Sequence, residues 1–125
     1  MFESLSKREF GFKLEAFAVG KLKCLDCHII ETNFQCKLGE IDIILKDKET
    51  LVFVEVRYRK QNKFGGASAS VDRRKQNKII KTASHYLQSK NINERFACRF
   101  DVFAIESIAN QLSYNWIKDA FDVQN

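Results

Sequence analysis

The amino-acid sequence predicts an α/β fold in which a mixed β-sheet of about five strands is flanked by helices. Two runs of β-branched, aromatic and aliphatic residues, 40–45 and 51–58, follow each other closely, and a segment with helical periodicity lies on either side of them. The chain has 125 residues, of which 45% are hydrophobic. That length suffices for one compact core and is too short for two, so we expect residues 1–125 to form a single domain.

The N-terminal part of the chain predicts one helix and one strand. Over residues 6–22 apolar side chains recur at helical spacing, and Ser6 can cap the first turn. We expect Gly20 to loosen the last turn of this helix, because glycine favours the helical state less than other residues do. Residues 27–34 alternate weakly between polar and apolar side chains, which predicts a first strand.

The central hairpin is followed by a loop and a second helix. The polar residues 46–50 are expected to connect the two strands of the hairpin, and residues 59–70, which include two glycines, predict a flexible loop. A long helix is predicted over residues 71–89. Its predicted apolar face consists of Gln76, Ile79, Ile80, Ala83 and Leu87.

A second hairpin is predicted at the C-terminal end of the chain. Residues 96–105 form a further strand, which we expect to pair with residues 112–117 across a turn near Asn110. Asp101 is an acid within this otherwise apolar strand, and a structural ion pair with a nearby arginine is its expected role. Trp116 is expected to pack in the core or at the sheet edge.

The positive charge of the chain is concentrated in one stretch. The formal net charge is +5, but residues 57–81 alone hold nine basic side chains and one acid, Asp72. A solvated helix face would explain the basic residues of the second helix and not those of the loop. We therefore expect nucleic acid, DNA in particular, as the partner, gripped through its backbone. The candidate contacts are Arg57, Arg59, Lys60, Lys63, Arg73, Arg74, Lys75 and Lys78.

The sequence indicates a cytoplasmic protein without a membrane partner. Charged residues interrupt the first fifteen positions, so no secretory signal is expected, and no apolar run has membrane length. The four cysteines are expected to be reduced. Cys24, Cys27 and His28 fit a c-type haem attachment pattern, which an absent export signal argues against. Together with Cys36 they could hold zinc, but the spacing is not a standard one and no second pair follows, so structural cysteines are expected.

Two acids of the central hairpin are candidate metal ligands. Alternation along a strand places Glu55 and Arg57 on one side and three valines on the other, so we expect one charged face and one apolar face. Asp42 on the preceding strand and Glu55 could together hold Mg²⁺ or Mn²⁺ through carboxylate oxygens. They could equally form ion pairs with Arg57 or Arg59 across the hairpin, and residue types alone do not decide between these alternatives.

Four segments of the sequence together carry a family resemblance. GEIDIILKDKETLVFVEVRYR, FGGASASVDRRKQNKIIKTASHYL, RFDVFAI and WIKDAF occur in this order, and the match spans residues 11–121. In this pattern the chain resembles the YraN family of uncharacterised bacterial proteins, which is grouped by fold with the PD-(D/E)XK nucleases and the archaeal Holliday junction resolvases. The resemblance implies a restriction-endonuclease-like fold and metal-dependent endonuclease activity, with possible preference for particular DNA structures.

The same resemblance assigns roles to individual residues. It implies that Asp42 bridges the metal, that Glu55 is the acid of the (D/E)XK strand, and that Glu15 on the first helix assists at the metal. From spacing alone, Glu15 would be an exposed helix glutamate. Gln76 matches the glutamine of the family's KQ motif and, with Arg57, is expected to contact phosphate or water. The implied cofactor is Mg²⁺ or Mn²⁺.

Arg57 is the departure from the nuclease pattern, which has a lysine at this position. A guanidinium is not deprotonated in proteins, so Arg57 cannot act as a neutral base, although it can clamp a phosphate. Lys75 is a candidate to reach the site in its place. The leading hypothesis is therefore an endonuclease, and the alternative is a non-catalytic nucleic-acid-binding protein that retains the nuclease fold.

Two further expectations concern assembly. A protein-interaction module with a basic face would fit the charge but would leave Asp42 and Glu55 unexplained. Symmetric cleavage of both strands of a duplex needs two sites, which favours a homodimer.

Overall fold

A computed structural model of the chain describes residues 5–60, 71–92 and 97–123. It contains one five-stranded sheet with strands in the order in which they occur along the chain. The third and fourth strands are parallel, joined by a helical crossover, and the other neighbours are antiparallel. The α/β class and the mixed five-stranded sheet are thus confirmed. The elements are α1 (Lys7–Cys24), β1 (His28–Cys36), β2 (Gly39–Asp47), β3 (Thr50–Lys60), α2 (Arg73–Ser89), β4 (Cys98–Ile108) and β5 (Gln111–Phe121).

Helix α1 begins with a capping box. The hydroxyl of Ser6 accepts a hydrogen bond from the backbone N–H of Glu9 at 3.1 Å, and the Glu9 carboxylate accepts one from the Ser6 N–H at 3.2 Å. The predicted cap is confirmed. The loosening expected at Gly20 is wrong, because the helix continues to Cys24 and Leu22, which is fully buried, holds the last turn on the sheet.

The strands are longer than the sequence pattern predicted. Strand β1 is shifted by one to two residues from the predicted 27–34, and the loop between β2 and β3 is two residues long instead of 46–50. The backbone of Lys48 in this tight turn has a φ of 56°. The predicted C-terminal hairpin is confirmed, with β4 and β5 turning at Ala109 and Asn110.

Both faces of the sheet are covered. Leu14, Ala18 and Leu22 of α1 pack on one face, and α2 packs on the other. Strand β3 therefore buries side chains on both sides, as strands that lie beneath a helical crossover do. The expectation that one face of β3 is charged was wrong for its first half, because Leu51 and Phe53 lie beneath α2. The charged side chains begin only at Glu55.

Helix α2 lies in close contact with Gly39, the first residue of β2. Gly39 has a φ of +152°, and a Cβ at this position would lie 2.9 Å from Oγ1 of Thr82. Residues Ile79, Thr82, Ala83 and Tyr86 are buried, and Ile80 and Leu87 are partly buried. The buried face of α2 is therefore rotated slightly from the predicted apolar face, because it includes Thr82 and Tyr86, which the apolar pattern did not pick out.

Asp101 forms a buried polar network at the opposite end of β4 from the turn. Its carboxylate, which is fully buried, accepts hydrogen bonds from Nε of Arg99 at 3.0 Å, from Nε1 of Trp116 at 2.8 Å and from the N–H of Asp119 at 2.9 Å. Arg99 also donates to Asp47 at 2.8 Å. The structural pairing expected for Asp101 is therefore present, and the network joins β2, β4 and β5.

Candidate functional site

Strands β2 and β3 separate near the middle of the sheet. Their pairing extends from Asp47 and Thr50, beside the hairpin turn, to Ile43 and Val54, where it stops. Beyond this point β2 stays paired with β1 and β3 stays paired with β4, but β2 and β3 no longer pair with each other. The divergence opens a space between two central strands, and the next residue on each strand is an acid. These acids are Asp42 and Glu55.

The carboxylate of Asp42 occupies the space between the separating strands. Its Oδ2 accepts a hydrogen bond from the backbone N–H of Val56 at 2.8 Å, which satisfies a donor that the strand pairing leaves without a partner on β2. Burial raises the pKa of Asp42, while the Val56 N–H and a hydrogen bond with Glu55 act in the opposite direction. Asp42 is thus fixed to the backbone of β3 and points toward Glu55.

Glu55 is a buried acid with two cationic neighbours. Its side chain is 6% exposed, and its Oε2 lies 3.3 Å from Nη1 of Arg57 and 3.5 Å from Nζ of Lys75. Burial and, after it, the charge of Asp42 raise the pKa of Glu55 to about 7, although Lys75 and Arg57 partly offset this. Asp42 and Glu55 are therefore two interacting acids at one site, which a proton or a bound cation would stabilise. We refer to Asp42 and Glu55 as the carboxylate pair.

Lys75 reaches the carboxylate pair from the first turn of α2. Asp72 caps this helix and accepts a hydrogen bond from the Lys75 N–H at 2.8 Å, which fixes the backbone from which the lysine extends. An ammonium group therefore lies at Glu55 although the strand itself carries Arg57 at the position where the nuclease pattern has a lysine.

Glu15 approaches Asp42 from the other side of the sheet. Its Oε1 accepts a hydrogen bond from Nδ2 of Asn33 at 2.8 Å, and Glu15 and Asp42 line the same cavity of about 300 Å³. Burial raises the pKa of Glu15, and the charge of Asp42 adds to this effect. Asn33, which no sequence pattern singled out, has a φ of 56°, a conformation that asparagine tolerates better than most residues.

Gln76 makes its hydrogen bonds at the start of its own helix. Its Nε2 donates to the carbonyl of Val71 at 3.1 Å, and its Oε1 accepts from Nη1 of Arg73 at 3.1 Å. The amide is half-buried, as expected for a residue that faces the sheet. These bonds fix the N-terminal turn of α2, and they do not join Gln76 to the carboxylate pair.

The predicted basic residues are divided between the two faces of the sheet. On the α2 side, Lys75 and Lys78 line a cavity of about 380 Å³ together with Glu40. The side chain of Lys60 lies on the α1 side, where it lines a cavity of about 240 Å³ together with Lys7. Arg73 and Arg74 are exposed on α2, Arg59 is half-buried, and Lys63 lies outside the described residues.

The carboxylate pair has the chemistry of a small divalent-cation site. Within residues 5–60, 71–92 and 97–123, no group of three or more histidine, cysteine or acidic side chains is gathered for a metal ion. Mg²⁺ does not require such a group, because it is commonly bound through one or two carboxylates, with waters and substrate phosphates as the remaining ligands. The half-buried Asp42 and the buried Glu55, neighbouring acids whose pKa values are both raised, fit a cation of this kind.

The fold and site define a class of protein: an α/β protein with a mixed sheet whose central strands diverge at a buried carboxylate pair, flanked by cationic side chains. The family model "Uncharacterised protein family UPF0102" matches residues 14–105. The chain belongs to this family, and the resemblance to the YraN family is confirmed.

Individual relatives match along nearly their whole length. A "UPF0102 protein" from Pseudomonas savastanoi pv. phaseolicola is 47% identical over 118 residues, which cover 94% of this chain and 96% of that protein. A "UPF0102 protein" from Alcanivorax borkumensis is 45% identical over 117 residues, which cover 93% and 94%. These names assign a family and no activity. Within the described residues, no helix combines the length and apolar character needed to cross a membrane.

Proposed function

We propose that this protein is a metal-dependent endonuclease that hydrolyses phosphodiester bonds in nucleic acid, DNA in particular. The observation that carries the proposal is the carboxylate pair at the divergence of β2 and β3, with Lys75 at 3.5 Å and Arg57 at 3.3 Å from Glu55. Burial raises the pKa of both acids although Arg57 and Lys75 lie beside Glu55, so ionising both acids costs stability. A site that binds a cation gives that cost a function.

Asp42 and Glu55 would hold Mg²⁺ or Mn²⁺, with Glu15 approaching from the α1 side. When bound, the ion lowers the pKa of a coordinated water and neutralises charge on the phosphate. The hydrogen bond from the Val56 N–H keeps Oδ2 of Asp42 in place. Asp42 is thereby positioned by the backbone of β3, which preorganises the site for a ligand.

The cationic side chains have different roles in this proposal. Arg57 presents a fork of donors to a phosphate and does not transfer a proton. Lys75 places an ammonium group 3.5 Å from Glu55, so it can donate a hydrogen bond to a water or to a phosphate oxygen at the site. Gln76 and Asp72 are positioning residues, because they fix the first turn of α2 from which Lys75 extends.

Cleavage of a panel of labelled DNAs by the purified protein tests the proposal. Single-stranded, duplex, flap and four-way-junction DNAs are incubated with Mg²⁺, with Mn²⁺ and with EDTA. We expect metal-dependent cutting that Asp42→Asn and Glu55→Gln abolish. Glu49→Gln makes the same chemical change at an exposed position in the β2–β3 turn and should leave cutting intact. Cutting that persists in Glu55→Gln would identify a contaminating nuclease.

A non-catalytic nucleic-acid-binding protein is the second candidate. The observation that favours it is that Glu55 already contacts two cations, Arg57 and Lys75, which partly neutralise it without a metal ion. This candidate predicts salt-sensitive binding that does not require metal and that survives Asp42→Asn and Glu55→Gln. Binding without cutting on every DNA of the panel would favour it over the endonuclease.

A further inference from the structure

A cavity lies between α1 and the sheet, on the side of Asp42 that faces away from α2. It has a volume of about 300 Å³, at the lower end of the range for small-ligand sites. We call it the α1 cavity. The side chains that matter for its chemistry are Lys7, Arg8, Phe12, Glu15, Asn33 and Asp42.

The charges of the α1 cavity are separated. Lys7 and Arg8 are exposed cations of the first turns of α1, whereas Glu15 and Asp42 are half-buried acids. Lys60 adds a third cation nearby, because it shares the adjoining cavity with Lys7. A ligand that fits both parts carries an anionic group for the exposed cations and hydrogen-bonding groups for the interior. The Asn33 amide, which donates a hydrogen bond to Glu15 at 2.8 Å, lines the same cavity.

An exposed aromatic ring borders the same cavity. Phe12 is 56% exposed, more than any other aromatic residue in the part of the chain that the structure describes. The guanidinium of Arg8 lies 5.6 Å from the centre of this ring. A phenylalanine that faces solvent contributes little to the core, but it offers a flat surface to a planar ligand. Aromatic rings beside cationic side chains are the usual means by which proteins bind single-stranded nucleic acid.

We propose that the α1 cavity binds an unpaired nucleotide of the nucleic acid, with its phosphate at Lys7 and Arg8 and its base stacked on Phe12. This inference rests on the proposed function only in taking nucleic acid as the ligand. Bases within a duplex are stacked on both faces, so they cannot stack on Phe12, and a cavity of this size admits one nucleotide and not a double helix. Because Asp42 lines the cavity, the bound nucleotide lies beside the carboxylate pair, and the preferred substrates are single-stranded or branched.

Metal-free binding measurements test this inference independently of catalysis. Fluorescence anisotropy in EDTA compares a blunt duplex, the same duplex with a short single-stranded overhang, and a single strand of equal length. We expect the overhang to tighten binding by roughly fivefold or more, the scale of one base–aromatic stack. Equal affinity for the blunt and overhang duplexes would overturn the inference.

Variants at Phe12 test the stacking contact. Phe12→Leu keeps an apolar side chain at this exposed position but removes the ring, and it should abolish the preference for the overhang while leaving blunt-duplex affinity unchanged. Phe12→Trp should restore the preference. Equal loss on both duplexes, or no change on either, would contradict a stacked base.

Charge variants test the phosphate contact with a matched control. Lys7→Ala and Arg8→Ala should each weaken overhang binding, whereas Lys13→Ala, an exposed lysine of the same helix that does not line the α1 cavity, should have a smaller effect. Equal effects of all three would indicate a diffuse electrostatic field and overturn the inference. Absence of cutting on every DNA, with the overhang preference retained, would instead reject the endonuclease and leave the nucleotide site standing.

Discussion

At the scale of single residues, the raised pKa of Glu55 makes the stability of the folded protein depend on pH. The folded protein holds a proton on Glu55 up to a pH of about 7, whereas a glutamate in water has an ordinary pKa of 4.5. Between these values the folded state binds more protons than the unfolded state. The free energy of unfolding therefore decreases as the pH rises from about 4.5 to 7, and the contribution of Glu55 is most favourable below this range.

Glu55→Gln should stabilise the metal-free protein at pH 8. A neutral amide keeps a hydrogen bond to Asp42 and removes the buried charge, so we expect a gain on the order of 2 kcal/mol in the free energy of unfolding. The gain should vanish near pH 4, where Glu55 is already protonated. Urea denaturation of the wild-type protein and the variant at pH 8 and pH 4 measures the gain at each pH. A loss of stability at pH 8 would mean that the ion pairs of Glu55 outweigh its burial.

Metal addition should act on stability at the same site. Mn²⁺ that binds the carboxylate pair binds only the folded state, so it should raise the melting temperature of the wild-type protein at pH 8. Glu55→Gln should reduce this shift, and Glu49→Gln should not. A shift of equal size in all three proteins would place the ion elsewhere.

Lys75 supplies a further test at the residue scale. Lys75→Met removes the ammonium group beside Glu55 but keeps the aliphatic length, so we expect cutting to fall by roughly a hundredfold, the typical contribution of a general acid or base. Lys75→Arg keeps the positive charge on a larger, planar group and should recover only part of the activity. Full recovery with arginine would assign Lys75 a purely electrostatic role, and full activity of Lys75→Met would exclude it from the site.

At the scale of secondary-structure elements, Gly39 at the start of β2 lies against Thr82 of α2, the helix that carries Lys75. Gly39→Ala would place a Cβ 2.9 Å from Oγ1 of Thr82 in a backbone conformation that L-residues rarely adopt. We expect a loss of about 1–3 kcal/mol in stability. Thermal or urea denaturation measures it, and Thr82→Ala in the same chain should recover part of the loss.

Gly20→Ala is the matched control for this substitution. Gly20 lies inside α1, where an added Cβ would meet nothing within 4 Å, so alanine should stabilise the protein by roughly 0.5–1 kcal/mol. Opposite signs at the two glycines would show that position 39 requires glycine, through its positive φ and its contact with Thr82. A neutral result at Gly39 would mean that the start of β2 can adjust to the added Cβ.

The secondary structure itself was accessible from local sequence patterns. The capping box at Ser6 and the β-branched runs of the central hairpin depend on neighbouring residues, so both helices and all five strands of the described chain could be predicted. Element ends were less accurate, because the length of β1 and of the β2–β3 turn depends on pairing with other strands. The burial of Leu51 and Phe53 on the Glu55 side of β3 was missed, because it requires α2 to lie over that face.

At the scale of the whole molecule, cationic side chains approach the carboxylate pair from both faces of the sheet. Lys75 and Lys78 lie on the α2 side, and Lys7 and Arg8 lie on the α1 side. A nucleic acid that contacts both groups of cations would pass beside Asp42, which lines the same cavity as Lys7 and Arg8.

The homodimer stays a prediction. Symmetric cutting of a duplex would favour two copies of the chain acting together.

The salt dependence of DNA binding tests this arrangement. If Lys78 contacts a phosphate, Lys78→Gln should reduce the slope of log affinity against log salt by about one. Lys48→Gln removes the same charge from the β2–β3 turn, at the end of the hairpin away from the carboxylate pair, and should leave the slope unchanged. Equal slopes for both variants and the wild-type protein would exclude Lys78 from the DNA interface.

The sequence by itself determined the α/β class, the family, and the two acids of the site. Asp42 and Glu55 stand out locally, because each is an acid within an otherwise apolar strand. The tertiary structure alone decided that β2 and β3 diverge there, that Lys75 of α2 reaches Glu55, and that the N-terminal turns of α1 border Asp42. These contacts join residues far apart along the chain. Their distances are set by the crossover through α2 and by helix packing on the sheet, which local side-chain patterns do not encode.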